Sequence, residues 1–383
     1  MSRKPLAAVI LAAGQGTRMK SQLPKVLHPV AGQPMVCAPM RMCQLLGCEK
    51  TILVIGHGAE QVQQILAKEP LLFALQEQQL GTGHALLCAE SQLQDFAGTL
   101  LLLCGDVPLL RQQTLERLLN YHAEQQAAVT VLTAEMENPQ GYGRVVRDGD
   151  TVLRIVEEKV ASAKEKAIHE INTGIYAFEA PLVFAALKEV GRDNAQGEYY
   201  LTDVLEIARR QNRKVCAISV ADPDETMGIN DRIQLAEANA ILRQRINQEH
   251  MRAGVTLLDP AATYIDPQVE IGPDTVIHPG AHLRGTTRLG KECIVEPGVM
   301  VTDCTIGDHT HLKAGSVMAE SVLGPHCAIG PMAHLRPGTN LAGHNKLGNF
   351  VETKKAVLKE KAQASHLTYI GDAEVGRNVN IGC

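Results

Sequence analysis

The second half of the chain carries an aliphatic residue at every sixth position. Seven such residues stand in unbroken register: Ile265, Ile271, Ile277, Leu283, Leu289, Val295 and Val301. After a step of five residues the spacing resumes, with further members at Ile306, Leu312, Met318, Ile329, Leu335, Leu341 and Leu347. Hexapeptide repeats wind as a parallel β-helix with three hexads to a coil, and the aliphatic side chains fill its narrow interior. The periodicity therefore predicts this fold for residues 253–383.

Polar segments follow Leu335, and we expect them to interrupt the six-residue rhythm. They read Arg336-Pro-Gly, Asn349-Phe-Val-Glu-Thr-Lys-Lys, His366-Leu-Thr-Tyr and Gly371-Asp-Ala-Glu. Polar and aromatic residues that break a regular pattern predict a site on a loop or on the edge of a coil. The alternative for this half is a plain scaffold, because many parallel β-helices serve only to hold an oligomer together.

A glycine-containing loop follows the first apolar run, Leu6 to Leu11. It reads Leu11-Ala-Ala-Gly-Gln-Gly-Thr-Arg-Met-Lys-Ser-Gln-Leu-Pro-Lys. Gly14 and Gly16 allow a tight turn whose N–H groups point at an anion, and Arg18 and Lys25 add two fixed cations. The loop is therefore interpreted as a phosphate-binding loop.

Two better-known glycine motifs do not fit this loop. The dinucleotide fingerprint needs a third glycine where Met19 stands. A Walker loop needs four residues between its glycines, whereas a single Gln15 separates them here. An ordinary strand-to-helix turn is the remaining alternative.

Short apolar strands alternate with helical spacing through the first half. The pattern predicts helices over Met35–Leu46 and Gln61–Ala67, and strands over Leu6–Leu11, Lys50–His57 and Thr99–Cys104. Such alternation predicts a mostly parallel sheet whose ligands gather at the C-terminal ends of its strands. Asp106 leaves one of those ends, where a carboxylate suits Mg²⁺. An aspartate that merely forms a turn before Val-Pro is the alternative.

Length and composition exclude several classes of protein. A chain of 383 residues is too long for one ordinary core, and we expect domains at 1–229 and 253–383 joined by a helix over 230–252. The net charge of −5, the absence of Trp and an aromatic content of 3% argue against a nucleic-acid partner. No apolar run is long enough for a membrane span, and ten scattered cysteines without Cys-x-x-Cys pairs favour the reducing cytoplasm.

The motifs of the first half resemble those of sugar-1-phosphate nucleotidyltransferases. Leu-Ala-Ala-Gly-x-Gly-Thr-Arg-Met followed by Leu-Pro-Lys-Val is most similar to the bifunctional bacterial enzymes that make UDP-N-acetylglucosamine, a precursor of the cell wall. The resemblance extends to the last residue. It implies an α/β nucleotidyltransferase domain with a Rossmann-like sheet, followed by a left-handed parallel β-helix. It also implies Mg²⁺-dependent transfer of UMP from UTP to N-acetylglucosamine-1-phosphate.

The resemblance assigns roles to individual residues of the first half. Arg18 and Lys25 match catalytic positions, and Asp106 and Asn230 match metal ligands. The nucleotide- and sugar-binding positions are Leu11, Ala12, Ala13, Gly14, Lys25, Gln76, Gly81, Thr82, Cys104, Gly105, Asp106, Gly143, Glu157, Asn172 and Asn230. Cys104 departs from the tyrosine that often precedes Gly-Asp in the closest relatives. The polar segment Asn194 to Asp203 matches one that packs near the sugar and leads into a helix.

Some of these residues also have ordinary structural interpretations. Gly81 and Thr82 could cap a helix that begins near His84, and Asn230 could cap the helix that follows it. Asn230 can hold a metal as well only if that helix starts later, at Asp231. The apolar stripe of that helix should pack on a neighbouring element; it consists of Leu235, Leu242 and Ile246.

In the second half, the resemblance implies acetyl transfer from acetyl-CoA to glucosamine-1-phosphate. His366 matches the general base that takes a proton from the attacking amine, a task suited to a neutral imidazole. The matches to glucosamine-1-phosphate contacts are Arg336, Lys354, Tyr369 and Asn380, and Cys383 matches an acetyl-CoA contact. The family continues for several more coils, so we expect a C-terminally truncated chain with an incomplete acetyl-transfer site. A homotrimer assembled through the β-helix is also implied.

Two alternative functions stay open at this point. One is a nucleotidyltransferase for another sugar phosphate or nucleotide, such as an ADP-glucose-type synthase. Those relatives typically show Gly-Gly and Lys-Pro-Ala, whereas this chain has Ala12-Ala13 and Pro24-Lys-Val. The other is a non-catalytic trimeric scaffold or regulatory subunit. The intact set of predicted site residues argues against it: Arg18, Lys25, Asp106 and Asn230.

Overall fold

The computed structural model describes residues 4–149, 151–192 and 197–382. The chain divides into two compact units, Met1–Ala238 and Asn239–Cys383. The division falls inside helix α8, Arg232–Arg252. The sequence-based boundaries at residues 229 and 253 stay a prediction. Among the helices in the described part of the chain, none combines the length and the apolar character needed to span a bilayer.

The first unit is built on a mixed, mostly parallel sheet. Its strands are β1 Leu6–Ala12, β4 Lys50–Ile55, β5 Leu72–Leu75, β6 Thr99–Cys104, β7 Val129–Glu135, β8 Arg144–Asp148, β9 Thr151–Val156, β10 Glu170–Glu179 and β11 Val215–Ser219. They lie in the order β11-β7-β10-β6-β1-β4-β5, and β8 and β9 form a hairpin beside β10. Strand β10 runs antiparallel to both β6 and β7. A small separate hairpin joins β2 Pro29–Val30 to β3 Gln33–Pro34.

Helices cover both faces of this sheet, because its central strands are apolar on both sides. The helices are α1 Cys37–Leu45, α2 Ala59–Ile65, α3 Thr82–Leu87, α4 Gln112–Glu124, α5 Ala163–Lys166, α6 Ala180–Leu187, α7 Asp203–Arg210 and α8. In β1, Ala7 and Val9 enter one apolar cluster, and Ala8 and Ile10 enter the other. The predicted strand–helix alternation is confirmed. Helix α1 begins two residues after and ends one residue before the predicted helix, and α2 begins and ends two residues before the predicted one.

The second unit is a left-handed parallel β-helix with three faces. Face 1 consists of β12 Thr256–Leu257, β15 Val276–Ile277, β18 Ile294–Val295, β21 His311–Leu312, β24 Ala328–Ile329, β27 Lys346–Asn349, β30 Gln363–His366 and β33 Asn380–Ile381. Face 2 consists of β13 Tyr264–Ile265, β16 His282–Arg284, β19 Met300–Thr302, β22 Val317–Ala319, β25 His334–Leu335, β28 Glu352–Lys354 and β31 Tyr369–Gly371. Face 3 consists of β14 Glu270–Ile271, β17 Arg288–Leu289, β20 Thr305–Ile306, β23 Val322–Leu323, β26 Asn340–Leu341, β29 Val357–Leu358 and β32 Glu374–Val375. Each strand therefore pairs with the third strand after it in the sequence, as three hexads to a coil require.

The predicted interior positions are buried, except that Ile271 is half-buried. Leu323 is a further interior residue, absent from the predicted set; it is 2% exposed and fills the place between Met318 and Ile329. Five-residue steps occur where the chain passes from face 2 to face 3, as between Met318 and Leu323. A search for strict six-residue spacing therefore skips such positions.

The expected interruption of the repeat after Leu335 is wrong. The inward positions continue without a break through Leu341, Leu347, Thr353, Leu358, Ala364, Ile370 and Val375, all of them buried. Thr353 and Ala364 concealed this continuity because they are not large aliphatic residues. The polar residues of this region are the outward-facing members of regular coils.

Candidate active sites

The carboxyl ends of two neighbouring strands bring the first candidate site together. Leu11 of β1 lies in register with Cys104 of β6, and the Gly105 N–H donates to the Leu11 carbonyl at 2.9 Å. The glycine loop leaves β1 at this edge, and Asp106 leaves β6 beside it. Leu11 is half-buried, Ala12, Ala13 and Gly105 are buried, and Gly14 is exposed.

Lys25 joins the two predicted metal ligands. Its ammonium forms a short ion pair with Oδ2 of Asp106 and donates to Oδ1 of Asn230 at 3.1 Å. The side chains of Lys25 and Asp106 are 14% and 24% exposed, so the pair is shielded but open on one side. Two oxygen atoms from distant parts of the chain thus converge on one cation.

Gly16 holds the loop against Lys25. Its φ of +61° lies in the left-handed region, and a Cβ atom there would lie 2.6 Å from the Lys25 Cβ. Glycine is therefore required both for backbone conformation and for space. Arg18 lies in the following 3₁₀ turn, Thr17–Met19, and is exposed. Within the described residues, Arg18 makes no ion pair with the Lys25–Asp106 cluster.

Asp231, and not Asn230, caps helix α8, so the Asn230 side chain is available to the site. Oδ1 of Asp231 accepts from the N–H groups of Ile233 and Gln234, both at 2.9 Å, just ahead of α8. The condition set by the sequence, a helix that starts after Asn230, is therefore met. Ile246 of the predicted apolar stripe is buried, whereas Leu235 and Leu242 are only half-buried.

The segment predicted to contact the base precedes α3. Gln76 is 3% exposed, and its Nε2 lies 3.1 Å both from the Gly81 carbonyl, to which it donates, and from Nδ1 of His84. Thr82 Oγ1 accepts from the N–H of Leu201 at 3.4 Å, and Gly83 donates to the Tyr199 carbonyl. Helix α3 begins at Thr82, so Gly81 sits at its N-cap with no side-chain cap. Of the predicted loop Asn194–Asp203, residues 194–196 lie outside the described residues, and Asp203 opens α7 as expected.

The three predicted sugar-binding residues lie together. The Asn172 N–H donates to the Gly143 carbonyl at 2.8 Å, and a Cβ at position 143 would lie 3.5 Å from Oε1 of Glu157. Oδ1 of Asn172 accepts from the Tyr176 hydroxyl at 2.8 Å, which fixes the amide. Burial raises the pKa of Glu157, and the carboxylate of Glu198 raises it further.

Cys104 lies at the end of β6, next to strand β10, which carries Asn172. Its Sγ lies 3.6 Å from the Gly174 carbonyl, at the bulge that shifts the register of β10 after Asn172. Burial, and to a lesser extent the nearby Asp106 carboxylate, raises the pKa of its thiol to about 12. Cys104 is therefore a neutral thiol, and the tyrosine hydroxyl of the relatives has no equivalent here.

The donor atoms present fit Mg²⁺. The ion takes one or two protein oxygen ligands and keeps its other positions for water and substrate phosphates. Asp106 and Asn230 supply such a pair, already drawn together on one positive charge. Within the described ranges, no group of three or more His, Cys, Asp and Glu side chains is placed to hold a metal ion, so the proposed site rests on the Asp106–Asn230 pair.

The second candidate site lies on the outer surface of the β-helix. Arg336 donates to Oε1 of Glu352 at 3.0 Å, and the Lys354 ammonium lies 3.7 Å from Oδ2 of Asp372. Tyr369 stands next to Glu352 on face 2 and is 59% exposed. Its ring lies so close to Gly371 that a Cβ there would overlap it. This cluster is solvated, with two cations balanced by two carboxylates.

His366 and Asn380 lie on face 1. His366 ends β30 on face 1, where it pairs with Asn349 of the previous coil, and its side chain is exposed. Asn380 lies on β33 and pairs with Gln363. The chain therefore presents the predicted residues on two faces, and Cys383 lies outside the described residues.

Sequence reasoning missed several residues that shape these sites. Arg144 is 2% exposed, and its guanidinium lies 2.6 Å from the carboxylate of Glu158, whose side chain is 29% exposed. This partly buried ion pair is formed by the residues that directly follow Gly143 and Glu157 in the sequence. Burial raises the pKa of Tyr142, which lies near Asp106. Each stands next to a motif residue that the sequence analysis had singled out, and that adjacency was the available signal.

Comparisons with known proteins agree with this arrangement. Residues 7–222 match the family model described as nucleotidyl transferase, and residues 261–375 match the model described as GMPPB C-terminal domain. A crystal structure from Bacillus anthracis, described as a glucose-1-phosphate thymidylyltransferase in complex with sucrose, aligns with a TM-score of 0.50 and 20% identity over 62% of this chain and 94% of that one. At that identity, the match concerns the fold alone.

Full-length sequence relatives are much more similar. The bifunctional protein GlmU of Syntrophotalea carbinolica is 64% identical over 100% of this chain and 82% of its own length. The GlmU proteins of Pelobacter propionicus and Listeria monocytogenes are 55% and 50% identical, over 99% and 98% of this chain and 83% and 82% of their own lengths. The chain therefore belongs to the GlmU family of bifunctional proteins.

Proposed function

We propose that the first unit transfers UMP from UTP to N-acetylglucosamine-1-phosphate, giving UDP-N-acetylglucosamine and pyrophosphate. As a member of this family, the chain is a uridylyltransferase with a second, acetyltransferase activity, and its substrates are a nucleotide and sugar phosphates. The observation that carries the site assignment is the convergence of Asp106 and Asn230 on the Lys25 ammonium, beside a glycine loop at the end of β1.

The chemistry is a single displacement at phosphorus. A phosphate oxygen of the sugar phosphate attacks the α-phosphorus of UTP, a new P–O bond forms, and the bond to the pyrophosphate oxygen breaks. No protein nucleophile is needed, because the sugar phosphate is already an anion at neutral pH. Catalysis then depends on alignment and on neutralising charge.

The residues of this chain divide that work. The backbone of the glycine loop and the cations Arg18 and Lys25 hold the nucleotide phosphates. Gly143, Glu157 and Asn172 orient the sugar. Asp106 and Asn230 hold Mg²⁺, which when bound neutralises charge on the phosphoryl oxygens and on the departing pyrophosphate.

The second unit transfers acetyl from acetyl-CoA to the amine of glucosamine-1-phosphate, with His366 as the base. Arg336 and Lys354 provide cations for the sugar phosphate, each now paired with a carboxylate that the phosphate would replace.

A homotrimer assembled through the β-helix is part of this proposal. Three bulky residues on successive coils, Met332, Phe350 and Leu367, are 54%, 59% and 68% exposed. All three have positive φ values, of 54°, 59° and 47°, at the same corner of the coil. Strained, exposed apolar side chains are costly in a monomer, and a neighbouring subunit would cover them.

One assay tests the substrate assignment. Pyrophosphate release is measured with ATP, CTP, GTP and UTP, each combined with N-acetylglucosamine-1-phosphate, glucose-1-phosphate and mannose-1-phosphate. We expect UTP with N-acetylglucosamine-1-phosphate to be preferred over every other pair. Preference for another pair would replace the substrate, and no release with any pair would support a non-catalytic scaffold. Release of CoA from acetyl-CoA with glucosamine-1-phosphate tests the second unit in the same preparation.

A further inference from the structure

Lys25 occupies the place that the proposed function gives to a metal ion. Its ammonium contacts Oδ2 of Asp106 and lies 3.1 Å from Oδ1 of Asn230, the two oxygen atoms assigned to Mg²⁺. A bound divalent ion would put a total charge of +3 around one carboxylate in a partly shielded pocket. Cations that close together repel each other strongly when solvent screening is weak.

The local structure allows the ammonium to leave without moving the loop. The Lys25 backbone is held by the 3₁₀ turn Lys25–Leu27 and by the contact of its Cβ with Gly16. Beyond Cβ the side chain is a flexible stem that can swing its charge through several ångströms. The phosphate-binding loop lies directly beside that stem, so a bound nucleotide would offer the ammonium a new anionic partner.

We propose that Lys25 is an internal counter-ion that competes with the metal for Asp106 and Asn230. In the metal-free chain its ammonium neutralises Asp106 and keeps the two ligands together. Binding of metal displaces it toward the nucleotide phosphates, so metal and nucleotide bind cooperatively because each favours the same position of Lys25. This inference rests on the proposed function, which assigns the two oxygen atoms to the metal.

The competition predicts that removing Lys25 strengthens the binding of metal alone, although it weakens catalysis. Mn²⁺ titrations of the full chain without nucleotide, followed by the electron paramagnetic resonance signal of free Mn²⁺, measure that affinity. Lys25→Met should bind Mn²⁺ about tenfold more tightly than the parent, the equivalent of one charge-assisted hydrogen bond. Lys25→Arg keeps the positive charge and should stay within about threefold of the parent.

Lys20→Met is the matched charge control, because Lys20 is exposed on the same loop. It should change the affinity less than about twofold, since screening weakens the effect of an exposed charge. An equal gain in Lys20→Met and Lys25→Met would overturn direct competition, as would unchanged, weaker or undetectable binding in Lys25→Met. Far-UV circular dichroism confirms that each variant is folded.

Asp106→Asn separates this inference from the proposed function. It should abolish Mn²⁺ binding at this site in both the parent and the Lys25→Met background. If Mn²⁺ binding survives the loss of Asp106, the metal lies elsewhere, and both the ligand assignment and the competition are overturned. If Asp106→Asn abolishes binding but Lys25→Met shows no gain, only the competition is overturned.

Discussion

Replacing Gly16 by alanine should separate the position of Lys25 from the stability of the fold. The left-handed backbone at φ +61° costs an alanine about 1–2 kcal/mol. The new Cβ would also lie 2.6 Å from the Lys25 Cβ, so the two must separate by about 1 Å to reach ordinary contact. A shift of about 1 Å in a positioned catalytic group lowers turnover roughly 100-fold.

Gly47→Ala is the control for backbone strain alone. Gly47 has φ +71°, and a Cβ there would meet nothing within 4 Å. Both variants should lower the thermal midpoint, measured by far-UV circular dichroism because the chain has no Trp. Only Gly16→Ala should lose turnover in the pyrophosphate assay, by about 100-fold. Equal turnover in the two variants would refute the argument that Gly16 positions Lys25.

Three further predictions concern packing and charge. Arg144→Met leaves the Glu158 carboxylate without its partner at the β8–β9 hairpin, next to the proposed sugar contacts Gly143 and Glu157. It should lower the free energy of unfolding by about 2–3 kcal/mol and raise KM for the sugar phosphate. An unchanged KM would contradict a role of this ion pair in positioning the sugar contacts. Burial lowers the pKa of His122 from 6.5 to about 4. Between these values the unfolded chain takes up a proton that the folded chain does not, so the free energy of unfolding should decrease by up to about 1.4 kcal/mol for each unit by which the pH is lowered. His122→Asn should lose that part of the slope, and an identical pH dependence in both proteins would contradict it. In Gly371→Ala the new Cβ displaces the exposed Tyr369 ring, which can move into solvent, so the thermal midpoint should stay unchanged. The affinity for glucosamine-1-phosphate, measured by calorimetry, should weaken several-fold. An unchanged affinity would show that Tyr369 does not contact this substrate.

The architecture was predictable because periodicity reports burial directly. Strands such as Thr99–Cys104 are apolar on both faces, and inward residues of the β-helix recur every six positions. Where the recurring residue is not aliphatic, as at Thr353, or the step is five, as before Leu323, the same reasoning loses the pattern. The expected interruption after Leu335 failed for this reason.

The pairing of charged groups could not be predicted in the same way. Lys25 and Asn230 are far apart in sequence. They meet at Asp106 because the loop after β1 and the segment before α8 both pack there, where the Ile229 N–H donates to the Asp106 carbonyl. The Arg144–Glu158 pair depends on the β8–β9 hairpin closing in one register. The sequence can nominate such residues by type and motif, but their partners follow from the tertiary structure.

The most direct test of the account is the turnover of Asp106→Asn with UTP, N-acetylglucosamine-1-phosphate and Mg²⁺. The side chain keeps its size and loses the charge that holds both Lys25 and the metal. The account predicts a protein that folds like the parent and releases pyrophosphate at least about 1,000-fold more slowly. Turnover within about tenfold of the parent would contradict a metal-assisted site built on Asp106.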